Sequence, residues 1–124
     1  MTDLHAVIDG VLQSGHAVSF TAAGDSMFPA IRSGERLIVE AVDPCDLCRG
    51  DIVLARLERG LTAHRVVRIV KSAGEVASIV TRGDNCAEDD PPFSAAQLVG
   101  RVREPRKSYK IIIRLRHWVR RALR

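Results

Sequence analysis

The sequence predicts a mainly β protein: a coiled β-sheet or partly open barrel, with a short N-terminal helix and a basic amphipathic C-terminal helix. Three observations predict it. Six apolar stretches rich in β-branched residues recur between residues 16 and 103. Gly, Pro, Asp and Ser cluster between them, the residues that turns require. Helical periodicity occurs at the two ends of the chain and nowhere between.

Each element has its own signal. Leu4, Val7, Ile8, Val11 and Leu12 fall at i, i+3, i+4, i+7 and i+8, one stripe of a helix over residues 3–14. Thr2 or Asp3 suits its start and Gly15 its exit. The period then changes. Strands are expected over 16–22, 36–42, 51–57, 61–70, 76–82 and 98–103. Glu58-Arg59-Gly60 joins the third and fourth as a hairpin, and Ser72-Ala73-Gly74-Glu75 joins the fourth and fifth. Residues 44–50 and 83–96 read as loops. Strands at this spacing favour a compact, mostly antiparallel sheet.

Pro105 marks a boundary between a body, residues 1–105, and a tail, residues 106–124. At ~100° per residue, Ile111, Ile112, Leu115, Trp118, Val119, Ala122 and Leu123 share one arc of the tail. Arg114, Arg116, His117, Arg120, Arg121 and Arg124 occupy the rest.

Composition narrows the function. The chain's 124 residues suit one domain with its own core. Its net charge of +4 hides a split. Residues 1–100 carry 9 Lys or Arg and 14 Asp or Glu, a net of −5. Residues 101–124 carry 10 basic residues and one Glu, a net of +9. Any nucleic-acid role would therefore rest on the tail alone, which argues against nucleic acid as the partner of the body. The start lacks a basic segment followed by an apolar run, and no stretch reaches the ~18 apolar residues of a membrane span. Those features lead to the expectation of a cytoplasmic protein. Cys45 and Cys48 form a C-x-x-C, and Cys86 is the third thiol. A structural zinc site would need a second pair, so neither metal nor cofactor is expected.

Four short stretches carry the chemistry. They are Gly24-Asp25-Ser26-Met27-Phe28-Pro29, Gly50-Asp51-Ile52-Val53, His64-Arg65-Val66, and Gly83-Asp84-Asn85 with Asp89-Asp90 behind it. Together they supply a hydroxyl, an imidazole and carboxylates, the set that a serine hydrolase uses. Gly24 and Pro29 would hold Ser26 on a sharp, stiff turn. His64 shares a strand face with Thr62 and Val66. An imidazole there can accept a proton from a serine near neutral pH. Asp84, Asp89 or Asp90 can hold the tautomer of that imidazole. Each stretch also has a plainer reading: a turn serine, a half-buried histidine, a solvated acidic loop.

As an ordered set, over about residues 19–103, the stretches resemble signal peptidase I and the LexA-type peptidases. Ser-Met-x-Pro, Gly-Asp-Ile-Val, His-Arg-Val and Gly-Asp-Asn carry the resemblance. It implies a mostly β, coiled-sheet fold and a serine endopeptidase. His-Arg-Val resembles the branch that uses histidine as base, the archaeal and endoplasmic-reticulum type. The resemblance makes Ser26 the nucleophile and His64 the base. Asp90 would orient the imidazole, with Asp84 the second choice. Gly24, Met27 and Pro29 fall in the oxyanion and substrate-binding stretch. Gly24 stands where many members have a serine, so the Ser26 N–H becomes the expected oxyanion donor. The substrate would be a leader or signal peptide cut after a small residue. Family signal peptidases have a membrane span just before the serine, which this sequence does not show. An amphipathic tail with a Trp on its apolar arc can instead lie on an anionic membrane surface. Residues 108–124 would then make the protein peripheral at the inner membrane face. The other two readings are a peptide-binding module without catalysis, and a membrane or nucleic-acid adaptor working through the basic tail.

Overall fold

The computed structural model describes residues 4–103. One helix, α1 (Leu4–Gln13), precedes six strands: β1 (Val18–Thr21), β2 (Arg36–Glu40), β3 (Ile52–Leu57), β4 (Gly60–Ser72), β5 (Glu75–Arg82) and β6 (Leu98–Val102). All six form one open antiparallel sheet in the order β1-β2-β6-β3-β4-β5. Every element expected within the described residues is present, with ends within two residues. The expected C-terminal helix and the anionic surface assigned to it lie outside the described residues.

Local chemistry sets the turns. Glu58 and Arg59 close the β3–β4 hairpin, where Leu57 faces Gly60. Ala73 and Gly74 close the β4–β5 hairpin with φ of 54° and 81°. Two left-handed residues match the twist of the flanking strands, as tight hairpins require. The register of β4 against β5 shifts at Val66–Arg68 and again at Val70–Lys71. Such bulges bend a long strand and raise its twist, and β4 is the longest strand here.

Both faces of the sheet are covered, and alternation along β3 shows how. Val53 and Ala55 join Leu47, Val66, Ile79 and Phe93 in one apolar cluster. Leu54, between them in sequence, joins Ile8, Leu12, Val39 and Val99 in another. Successive strand residues point to opposite faces, so α1 covers one face and the long loop carrying Phe93 covers the other. Each such buried aliphatic side chain contributes roughly 1.5–3 kcal/mol. Phe93 also exchanges backbone hydrogen bonds of 2.9 and 2.8 Å with Ile79 on the outer edge of β5. A third cluster, Met27, Ile31 and Leu37, packs the residue after Ser26 onto the sheet. Among the described residues, no helix is long and apolar enough to cross a membrane.

Candidate active site

The Ser26 turn begins at Gly24, whose φ of +82° is unfavourable for any residue with a Cβ. The Gly24 N–H donates to Ser33 Oγ at 3.2 Å, which ties the two limbs of the loop together. Met27 is buried and anchors the turn from below. The Phe28–Pro29 peptide bond, at the exit from the turn, is cis. Arg32 places its guanidinium 5.7 Å from the Phe28 ring centroid.

A second turn grips the first. The Asn85 N–H donates to the Ser26 carbonyl at 2.8 Å, and Asn85 Nδ2 donates to the Asp25 carbonyl at 3.0 Å. Gly83 lies hard against the same carbonyl. A Cβ at Gly83 would stand 2.5 Å from the Ser26 oxygen and 3.1 Å from His64 Nε2. Only glycine permits this approach.

His64 rises from β4 opposite Val53 and is 2% exposed. Its Nε2 lies 3.1 Å from Ser26 Oγ, and its Nδ1 lies 2.6 Å from Asp90 Oδ2. A carboxylate oxygen accepts and does not donate. Nδ1 therefore carries the proton, and Nε2 is left to accept from the Ser26 hydroxyl. Asp90 is itself fixed from two sides. Thr81 Oγ1 donates to its Oδ2 at 2.7 Å, and the Asp90 N–H donates to the Thr81 carbonyl at 2.8 Å. Arg59 Nη2 stands 3.5 Å from Oδ1, an exposed and weakly held contact.

Ser26, His64 and Asp90 thus form one continuous hydrogen-bonded line. Asp84 lies elsewhere. Both its oxygens accept from Arg65, Oδ1 from Nε and Oδ2 from Nη2, each at 2.8 Å. Arg65 Nη1 also donates to the Gly50 carbonyl at 2.8 Å. The Asp84 N–H donates to Met27 Sδ at 3.3 Å. Asp84 therefore braces the turn that holds Ser26, while Asp90 holds the imidazole. Asp89 points to Arg82 at 3.4 Å.

The sequence flagged the Gly-Asp-Asn turn, but it did not assign Gly83, Asn85, Arg65 or Thr81 a job. Three of them lie in the stretches that carry the chemistry, Gly83 and Asn85 beside Asp84 and Arg65 beside His64, but their partners are not readable from those stretches. Thr81 had only its place on the inward face of β5.

A cleft of about 350 Å³ opens beside Ser26 and His64, with Thr21, Ala23, Leu37, Leu61 and Ala63 among its lining. Two strand edges border it. β1 is an edge strand, and Ala22 bonds inward to Glu35 and Gly34. Alternation then turns the backbone groups of Thr21 outward. The β4 segment Leu61–Ala63 pairs with β3 only, because β5 joins β4 from Arg65 onward.

The cysteines do not assemble. Cys45 and Cys48 are exposed in the loop after β2, while Cys86 Sγ lies 3.9 Å from the Ser26 carbonyl. Asp43 pushes the Cys45 thiol above its usual range, chiefly by charge repulsion of the thiolate. Among the described residues, no group of three His, Cys, Asp or Glu side chains is placed to hold a metal ion.

The open antiparallel sheet with its short leading helix is consistent with a LexA-like β fold. Its Ser-His-Asp line points to the serine-peptidase class. The Peptidase S24-like family model matches residues 3–103, and the chain belongs to that family. Membership carries a serine peptidase-type function at the level of the family. No curated protein matches the chain.

Proposed function

We propose that the protein is a serine endopeptidase of the signal peptidase I kind, working with a histidine base and cutting a leader or signal peptide after a small residue. The observation that carries this reading is the line Ser26 Oγ, His64 Nε2, His64 Nδ1, Asp90 Oδ2, with separations of 3.1 and 2.6 Å. Both lie within or close to the ~2.6–3.2 Å reach required of a nucleophile, its base and the group that orients the base.

The steps follow from the geometry. Ser26 Oγ attacks the scissile carbonyl while its proton passes to His64 Nε2. Asp90 stabilises the imidazolium through Nδ1–H. The negative charge on the former carbonyl oxygen needs donors already aimed at it. Among the hydrogen bonds of the described residues, none uses the Ser26 N–H, which leaves it available for that oxygen. When the intermediate collapses, Nε2 returns the proton to the leaving amine and the peptide's acyl half stays on Ser26. Water, deprotonated by the same imidazole, then releases it.

The two open edges supply the binding mode. An extended peptide can add a strand between β1 and β4, using backbone hydrogen bonds for affinity and side-chain pockets for choice. Beside Ser26 the wall is Met27, Ile31, Leu37 and Ala63, which suits a small apolar side chain.

The test is mass spectrometry of leader and signal peptides incubated with the purified protein. The wild type is expected to yield two fragments from cleavage at one bond, with a small residue before the cut. Ser26→Ala is expected to slow this by at least about 10⁴-fold. Equal rates from the two proteins would end the proposal. Binding without turnover by both would replace it with a peptide-binding module.

A further inference from the structure

Helix α1 buries only one side of its apolar stripe. Ile8 and Leu12 lie against the sheet in the cluster with Val39, Leu54 and Val99. Leu4, Val7 and Val11 lie beside them, 63, 46 and 36% exposed. Their i, i+3, i+7 spacing makes a continuous ridge on the helix surface. Three of the five large exposed apolar side chains among the described residues therefore sit on one ten-residue helix.

We infer that this ridge is the docking face for the chain's own C-terminal segment, residues 111–123. Three observations select that occupant. The first is where the chain goes. Val102, the last residue of β6, packs on the same cluster as Ile8 and Leu12. The Arg103 N–H is still held by the Ile38 carbonyl at 2.6 Å. The remaining 21 residues thus start beside α1. Residues 104–110 span at most about 25 Å when extended, enough to turn back along a helix about 15 Å long. The second is pattern. Ile111, Ile112, Leu115, Trp118, Val119, Ala122 and Leu123 fall on one arc, an apolar stripe long enough to cover the ridge from Leu4 to Val11. The third is charge. Residues 1–100 carry a net of −5 and residues 101–124 a net of +9, opposite signs that favour contact with the body.

The experiment uses the full chain and its single tryptophan, Trp118. Docking predicts blue-shifted Trp118 emission and weak iodide quenching in buffer without lipid. Val7→Glu is expected to shift the emission to the red and restore quenching, while circular dichroism stays unchanged. Val70→Glu, at an exposed apolar residue of β4, is expected to change neither. Should Val7→Glu unfold the helix, Leu4→Lys provides the same reading at the most exposed position. Solvent-like emission in buffer that turns blue only with phosphatidylglycerol vesicles would overturn the inference in favour of a membrane surface. Emission unmoved by either ridge substitution in a folded protein would overturn it as well. Neither readout depends on catalysis.

Discussion

Asp84 and Asp90 sit six residues apart in one polar loop, yet they do different work. Asp90 directs a carboxylate oxygen to the imidazole of His64, 2.6 Å away, in a site where the histidine is almost wholly buried. Asp84 spends both oxygens on Arg65 and gives its N–H to Met27 Sδ, beside the Asn85 N–H that holds the Ser26 carbonyl. One carboxylate acts on the proton-carrying ring, and the other holds the scaffold that places the hydroxyl. The difference lies in partners, because a loop that closes over a strand presents its two ends to different neighbours. Strand β4 makes this possible by sending His64 to one face and Arg65 to the other.

The comparison predicts separable phenotypes. Asp90→Asn should leave the fold intact and lower kcat by roughly 10³–10⁴-fold, since an amide no longer enforces the tautomer in which Nε2 accepts. Peptide cleavage rates with a thermal melt beside them check both halves. Gly83→Ala comes next. Its Cβ would meet a backbone oxygen that cannot swing away, so the Ser26 turn must move. A displacement near 1 Å costs about 10²-fold in rate, with about 1–3 kcal/mol of stability lost to overpacking. Asp84→Asn should reverse the balance seen at Asp90. About 1 kcal/mol of stability is expected to go, because the ion pair is bidentate but only partly buried. Activity should fall far less than in Asp90→Asn. Equal rate losses at the two aspartates would mean that the loop acts as one unit. The smallest effect concerns Cys45. Its raised thiol should need a higher pH than a free cysteine for alkylation, and Asp43→Asn should lower that pH.

Much of this was legible in the sequence because it is local. Strand ends followed from alternation and turn residues, and α1 from its stripe, all within two residues of the observed bounds. The order of strands was not legible. β6 inserts between β2 and β3, and no local pattern encodes a partner that far along the chain. The candidate site divides in the same way. Ser26, His64 and the pair of candidate acids stood out by residue type and order. The sequence left Asp84 and Asp90 as alternatives, because the choice rests on contacts between β4, β5 and the loop. Thr81, Arg65 and Asn85 were invisible as supports for the same reason: their partners lie 9, 19 and 60 residues away. Gly83 reads as an ordinary turn glycine until its nearness to Ser26 is seen.

A low-field proton NMR spectrum of the folded protein, without substrate, addresses the division of labour between the two aspartates. A proton shared between His64 Nδ1 and Asp90 should give a resonance well downfield of the amides. It should survive Asp84→Asn and vanish in Asp90→Asn. A resonance lost in Asp84→Asn and kept in Asp90→Asn would contradict the assignment and move the orienting role to Asp84.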